Sequence, residues 1–393
     1  MNSPLRVLMI PAFYPPNGGE FTTEQAKALV RAGVKVDIIA NVMVTLTENK
    51  LKYFTYPYCV TTFNDEGVRV MQSYQRRIPK VLFYHNIDKW ISNTVKLYER
   101  YVDKFGRPDI IHVQASMWAG AAAAEIKRKH SIPYIITEHL SFDILRDIQC
   151  RYSKSEEYIK RAYYSTDYLI TVSRELYDDG QEWINPQIPF RVISNILDKK
   201  FTSLIPTIKK KSNQPFTFVA LNRYWFYKGY DVLLEAVDIL SERFDKFQVL
   251  IAGSGFECDE FQSMFSRCRN RDKVLLLGEV GRDKVIELLT KSDALALPSR
   301  AEAQPRTILE SLALGTPALG TDIIPKVLLN SDTGLMVPRN NSQAFADGML
   351  YMIENINKFD REKIRSIAHN MAEESVVVKS IIEVYQEVLK RDE

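Results

Sequence analysis

The chain is sparing with the features that announce a special environment. Its 393 residues include four cysteines. Cys59, Cys150, Cys258 and Cys268 sit at no metal-ligand spacing and are too few for a disulfide framework, which points to a reducing compartment. Apolar runs are short pieces such as VLMIPAF at 7–13, far below the roughly 18 consecutive residues of a membrane-spanning helix. The opening MNSPLR lacks the charged and apolar regions of a secretory signal, so a cytoplasmic protein is expected. No D-x-D pair occurs to hold a divalent ion, and no H-E-x-x-H or other clustered metal spacing. A G-x-x-x-x-G-K-[ST] loop and a G-x-S-x-G elbow are also missing, which disfavours P-loop nucleotide hydrolysis and the commonest hydrolase. Basic and acidic side chains number 52 and 49, a net charge of +3 that gives no general case for wrapping nucleic acid.

What is present is apolar material in regular instalments. Hydrophobic residues make up 46% of the chain, which argues against disorder, and the length predicts two or three domains. Strand candidates Arg6–Pro11, Val34–Ala40, Asp109–Val113, Tyr134–Thr137 and Tyr168–Val172 alternate with helical patterns over Glu20–Ala32, 78–104, 116–130 and 155–165. Such a rhythm predicts right-handed crossovers and a parallel sheet covered on both faces. It breaks over 199–215, a lysine- and proline-containing stretch that reads as a linker. It resumes with strands Phe216–Leu221, Gln248–Ala252, Val274–Leu277 and Ala294–Leu297, and helices over 229–243, 257–269, 282–291 and 305–314. The last stretch, 341–393, reads as helical throughout. The predicted architecture is two tandem Rossmann-like α/β domains facing a cleft. An N-terminal domain covers 1–198, joined by a returning helix at 374–393, and a C-terminal domain covers 199–373. Open parallel sheets bind ligands beyond the carboxyl ends of their strands, so functional residues are sought in the loops that follow strands.

Three such loops stand out. In SRAEAQPRTILESLALG (299–315), Glu302 follows a strand and Glu310 lies about two turns into the next helix. An ionised carboxylate there accepts hydrogen bonds from vicinal hydroxyls, and the helix start beside Pro305, Arg306 and Thr307 offers amides to an anion. The same pair also reads as two surface glutamates on an ordinary helix. In NRYWFYKG (222–229), Arg223 and Lys228 are placed to grip one diphosphate, a planar fork and a point charge, or else are a strand-end arginine and a solvated lysine. Gly18 and Gly19 follow the first strand and allow close backbone approach to a phosphate, or form a plain turn. GSGFEC (253–258) lacks the third glycine of a dinucleotide fingerprint. Of five histidines, His139 follows a strand in TEHLSFD. His112 reads as a buried strand residue, His85 and His130 as helix-surface residues, and His369 as part of the terminal helices.

Together these segments resemble the retaining glycosyltransferases of family 4, which have the two-Rossmann GT-B fold. YPPNGGEFTTEQAKALVRAGVKVDII is similar to the family's first loop, helix and second strand. RPDIIHVQ, IPYIITEH, YLITVS and RVISNILD match later N-domain segments, while RYWFYKG, VLIAGSG and PSRAEAQPRTILESLALGTPAL match the Arg…Lys-Gly pair, the Gly-x-Gly strand end and the E-x7-E block. The resemblance implies a metal-independent hexosyltransferase that moves a sugar from a nucleotide-diphosphate-sugar, UDP- or GDP-linked, to a glycan or lipid-linked glycan in cell-surface polysaccharide synthesis. No cofactor beyond this co-substrate is implied. By the same resemblance Arg223 and Lys228 hold the diphosphate, Glu310 the ribose, and Glu302 and His139 the donor sugar. Gly18, Gly19, Arg306 and Thr307 line the donor. One departure concerns Ala303, Gln304 and Pro305, which stand where the family has glycine-phenylalanine-glycine. Pro305 has no amide to donate, and Gln304 is placed to contact a sugar hydroxyl instead. A nucleotide-sugar epimerase of the same fold, or a non-catalytic nucleotide-sugar-binding subunit of a glycan assembly complex, carries the same marks.

The charge is unevenly spread. Residues 1–195 hold 25 basic and 21 acidic side chains, and 69–107 alone hold nine against three, interleaved with Phe83, Tyr84, Trp90, Tyr98, Tyr101 and Phe105. This segment reads either as a solvated helical face over a normal core or as a peripheral contact with an anionic membrane.

Overall fold

The computed structural model describes residues 4–15, 18–46, 50–55, 59–77, 83–151, 155–204 and 214–390. The chain forms two compact units, one of Met1–Ile196 with Glu374–Glu393 and one of Leu197–Glu373.

The first unit is built on eight strands: β1 (Arg6–Pro11), β2 (Lys35–Val44), β3 (Thr61–Asp65), β4 (Val68–Arg76), β5 (Ile110–Gln114), β6 (Tyr134–Glu138), β7 (Tyr168–Thr171) and β8 (Phe190–Val192). Their order is β3-β4-β2-β1-β5-β6-β7-β8, parallel throughout except for β3, which runs antiparallel to β4. Every residue of β5, β6 and β7 is buried, as expected where helices cover both faces of a parallel sheet. The β3–β4 hairpin lies in a stretch that reads as no element in the sequence. It closes through Glu66 (φ 51°) and Gly67 (φ 92°), with Asp65 opposite Val68, a two-residue turn of the kind that matches strand twist. β2 extends four residues past the expected Ala40 because β4 pairs with it as far as Val44.

Helix Phe83–Phe105 has the solvated face over a normal core that one reading of the basic segment expects. Trp90, Tyr98 and Tyr101 are each 2% exposed or less and belong to the core. Lys89, Lys96, Arg100 and Lys104 remain exposed on the opposite side. The side chains of Phe83, Tyr84 and His85 lie outside the described residues, so the surface reading of His85 is not addressed. His130 ends helix Met117–His130, half-buried.

The helix Glu374–Leu389 belongs to this unit. Val377, Val378, Ile381, Val384, Tyr385 and Val388 pack with Val7, Met9, Ile110 and Ile170 of the sheet. Its rim is tied by Arg31 to Glu374 at 2.5 Å and by Arg191 to Glu383 at 2.9 Å and Glu387 at 2.5 Å.

The second unit has six parallel strands: β9 (Phe216–Leu221), β10 (Phe247–Ala252), β11 (Val274–Leu276), β12 (Ala294–Leu297), β13 (Ala318–Thr321) and β14 (Gly334–Val337), in the order β11-β10-β9-β12-β13-β14. The segment 199–215, expected to be a linker, starts instead as helix Lys199–Thr202, capped by Asp198 accepting from the Lys200 amide at 2.9 Å; residues 205–213 lie outside the described set. The stretch 341–393 is helical over most of its described length, as expected. It divides into Ser342–Asn355, Arg361–Ala372 (which contains His369) and Glu374–Leu389. Among the described residues no helix is long and apolar enough to cross a membrane.

Candidate active site

Both sheets reverse their order of connection beside their first strand. β1 lies between β2 and β5, and β9 between β10 and β12. The crevice at the carboxyl end of such a pair is where open α/β sheets bind ligands. Of the residues singled out above, Gly18 and Gly19 follow β1, and Arg223, Lys228, Glu302 and Glu310 follow β9 and β12, while His139 follows β6, next to β5 in the sheet.

In the second unit the loops after β9 and β12 are locked together. Gly229 has φ 67°, and a Cβ there would lie 2.1 Å from the Pro298 carbonyl oxygen, so only glycine lets the two backbones pass. Arg300 closes the same contact. Its amide donates to the Tyr227 carbonyl and its guanidinium to the Phe226 carbonyl, both at 2.7 Å, while Asp231 and Asn340 accept from it at 2.6 Å. The guanidinium also sits 4.5 Å from the Phe226 ring centroid.

This brings Lys228 and Glu302 together, 74 residues apart in sequence, with Nζ 2.6 Å from Oε1. The two side chains are 16% and 9% exposed. Ser299 Oγ donates to the same Oε1 at 2.7 Å, and Thr321 Oγ1 holds the Ser299 carbonyl at 2.6 Å. Glu302 is therefore not the surface glutamate of the plainer reading. Arg223, in contrast, is exposed, its guanidinium 5.3 Å from the Trp225 ring centroid. The structure places it in the same loop as Lys228 but pairs only Lys228 with a carboxylate of the site.

Glu310 is buried as well, 8% exposed at the side chain. It is the fifth residue of helix Arg306–Ala313, just over one turn in rather than two. Its Oε1 lies 3.2 Å from Arg282 Nη1 and 3.7 Å from Arg306 Nη2. Arg282 also reaches Asp198 at 3.1 Å. Sequence reasoning misses Arg282, because nothing local in helix Arg282–Lys291 marks its first residue as the partner of a carboxylate 28 positions on. At the helix start Ala303, Gln304 and Pro305 are buried, and Thr307 Oγ1 is buried with no hydrogen-bond partner among the described residues.

In the first unit Gly18 and Gly19 both take left-handed backbone conformations, φ 83° and 89°. A Cβ on Gly19 would lie 2.1 Å from the Phe13 carbonyl oxygen, whereas one on Gly18 would meet nothing within 4 Å. Gly19 thus folds the loop back so that helix Glu20–Arg31 can start, and Gly18 leaves open space. His139 follows β6. Phe21 packs on its ring at 4.1 Å between centroids, and its Nε2 lies 2.9 Å from Gln114 Oε1.

The turn that carries His139 is held by Glu138, which is fully buried and also missed from sequence. One carboxylate oxygen accepts from the amides of His139 and Leu140 at 2.9 and 2.8 Å. The other accepts from the Ser116 amide at 2.9 Å and Tyr163 Oη at 2.5 Å. A carboxyl group ending an apolar strand is the one signal that could have revealed it, since a buried charge needs such partners. His112 is buried and partnered, as its place in a strand predicts, and burial pushes its pKa down to about 3.

The family model described as Glycosyltransferase Family 4 matches residues 18–201, and the model described as Glycosyl transferases group 1 matches residues 203–371. The chain belongs to this family of glycosyltransferases. TuaC of Bacillus subtilis (strain 168), a glycosyltransferase provisionally named for teichuronic acid biosynthesis, is 24% identical over 380 residues, 92% of this chain and 90% of that protein. Among solved structures, sucrose-phosphate synthase from Thermosynechococcus elongatus superposes with a TM-score of 0.80 at 16% identity, covering 98% of this chain and 100% of that one. HepE of Anabaena, solved in complex with UDP, does so with a TM-score of 0.70 at 14% identity, covering 98% and 100%. The fold is that of the GT-B glycosyltransferases.

Proposed function

We propose that this glycosyltransferase moves a hexose from a nucleotide-diphosphate-sugar to a hydroxyl of a glycan or lipid-linked glycan, with retention at the anomeric carbon, in the synthesis of a cell-surface polysaccharide. The observation that carries the reading is the Lys228–Glu302 pair at the β9/β12 switch point, with Glu310 on the helix that follows. Lys228 and Arg223 neutralise charge on the departing diphosphate, and Glu310 accepts from the ribose hydroxyls. Glu302, Gln304 and the start of helix Arg306–Ala313, with Arg306 and Thr307, surround the donor sugar. In the other unit the Gly18–Gly19 amides meet the diphosphate, and His139 meets the sugar and acceptor. The anomeric bond to the diphosphate breaks as the acceptor oxygen bonds on the same face, and the acceptor proton passes to the leaving phosphate oxygen. Fixed charges aimed at a developing phosphate charge are worth several kcal/mol in a water-poor site, so the step is proposed to need neither a metal ion nor a cofactor.

UDP is the favoured nucleotide because HepE binds it, with GDP as the alternative. The glycan acceptor is favoured by the name of TuaC. The site of action is proposed to be the cytoplasm, with peripheral contact at the inner face of the membrane through the exposed Lys89, Lys96, Arg100 and Lys104 rather than through the aromatics of that helix.

The test is incubation of the full chain with UDP- and GDP-linked hexoses and lipid-linked or oligosaccharide acceptors, read by mass spectrometry. A product heavier by one hexose is expected, and it should fall at least about a hundredfold with Lys228→Ala. Epimerised donor formed without any acceptor would overturn the transferase reading in favour of an epimerase. Binding without turnover on every acceptor would favour a non-catalytic subunit.

A further inference from the structure

The first unit buries more hydrogen-bonding side chains on and around β5 and β6 than the substrate contacts proposed above require. Gln25, His112, Gln114, Thr137, Glu138 and Tyr385 are each 5% exposed or less. Three of these groups form a line with His139. Tyr385 Oη lies 2.6 Å from His112 Nδ1, and His112 Nε2 lies 3.0 Å from Gln114 Nε2. Gln114 Oε1 then lies 2.9 Å from His139 Nε2. The line starts on the helix Glu374–Leu389 and ends on the ring expected to meet substrate.

The orientation of the Gln114 amide sets the direction of its bond to His139. The Gln114 amide nitrogen donates to Gln25 Oε1 at 2.6 Å and lies 3.0 Å from His112 Nε2. His112 Nε2 also lies 2.7 Å from Thr137 Oγ1, a hydroxyl that donates or accepts, so the His112 hydrogen has a partner on either ring nitrogen. Only the Gln114 carbonyl oxygen is left for His139, and an oxygen that accepts requires His139 Nε2 to carry the hydrogen. The reverse orientation of Gln114 would set its oxygen against the acceptor oxygen of Gln25. Phe21 against the ring face, and Glu138 on the amides of His139 and Leu140, fix the plane and the turn.

We infer that Gln114 is a positioning residue that holds His139 in the Nε2–H tautomer, making Nδ1 the ring's acceptor, and that Gln25 sets the orientation of Gln114. The tautomer itself is independent of the transferase reading; its consequence for turnover rests on that reading. Outer partners of a working histidine fix its tautomer and orientation in the same way at metal sites.

The test is histidine-selective 15N labelling of the full chain without ligand, with ring-nitrogen spectra at a pH where His139 is neutral. Wild type is expected to show His139 protonated at Nε2 and not at Nδ1. Gln114→Leu removes the acceptor and should yield a mixture of tautomers. Gln25→Leu removes the acceptor that orients the Gln114 amide, frees Gln114 to turn, and should likewise move the His139 signals. A proton on Nδ1 in wild type, or unchanged His139 signals in both variants, overturns the inference. Should Gln114→Leu fail to fold, wild type and Gln25→Leu still decide it. In turnover assays Gln25→Leu is expected to lower kcat by about tenfold with donor KM unchanged. A shifted tautomer with unchanged kcat would leave the hydrogen-bond assignment standing and count against the role of His139.

Discussion

Lys228 Nζ and Glu302 Oε1 lie 2.6 Å apart, one in the loop after β9 and the other in the loop after β12. Each is nearly buried, so each depends on the other: removing either leaves a charge without its partner in a water-poor place. Lys228→Met and Glu302→Gln are each expected to destabilise the protein by about 2–3 kcal/mol. The double variant should cost less than the sum of the two. Denaturant unfolding of the four proteins measures this coupling, and strict additivity would show the pair to be incidental.

Glycine substitutions should separate conformational cost from steric overlap. Gly18→Ala places a Cβ in open space at φ 83° and is expected to cost about 1–2 kcal/mol. Gly19→Ala and Gly229→Ala meet the same backbone penalty and also drive a Cβ to 2.1 Å from a carbonyl oxygen. Their unfolding midpoints should fall clearly below that of Gly18→Ala. Equal midpoints for all three would mean that the loops rearrange freely.

His112 gives stability a defined dependence on pH. Its pKa is pushed down to about 3 by burial, with a smaller effect from His139, against about 6.5 in an unfolded chain. Between these values the unfolded state binds a proton that the folded state does not, so stability rises with pH across the window and levels off above about 6.5. The slope from this one group approaches about 1.4 kcal/mol per pH unit. His112→Gln should therefore lose less stability than wild type when pH falls from 7 to 5, as read by urea unfolding. Parallel curves for the two proteins would show that His112 is protonated in the fold.

The exposed lysines and arginine of helix Phe83–Phe105 are expected to bind anionic vesicles at low salt. Binding should weaken as the Debye length shrinks toward about 8 Å at physiological ionic strength. Cosedimentation with phosphatidylglycerol vesicles, compared for wild type and a Lys89→Glu, Lys96→Glu double variant, measures this. No pelleting of wild type at low salt would dispose of membrane contact through this face.

Periodicity makes much of the fold legible. Arg6–Pro11, Ser155–Ser165, Phe216–Leu221, Arg282–Lys291 and Ala294–Leu297 stand in the structure at the bounds read from sequence. These are uninterrupted apolar strands or amphipathic helices, in which local pattern and tertiary burial agree. β3 and β4 are missed because β3 has a single large apolar residue, Phe63, and β4 buries Gln72 and Gln75 where a strand pattern expects apolar side chains. Only the Asp-Glu-Gly turn announces the hairpin. β13 (ALGT) and β14 (GLMV) are missed because each of these four-residue strands holds a glycine, which weakens a strand pattern. Of the site, Lys228, Glu302, Glu310 and His139 are legible because each stands in a loop or helix start after a strand. Arg282, Arg300, Gln114 and Glu138 are not, because what recruits them is a partner far along the chain. Glu138 is an ordinary residue in sequence until burial obliges it to collect four hydrogen bonds.

Calorimetric titration of the purified chain with UDP and with GDP tests the central claim most directly. Wild type should bind at least one of them without added metal, and Glu310→Ala should bind it at least about tenfold more weakly, a loss of about 1.4 kcal/mol. Lys228→Ala should weaken it comparably. If wild type binds neither nucleotide, or if both variants bind as wild type does, the donor site does not lie at the β9/β12 switch point.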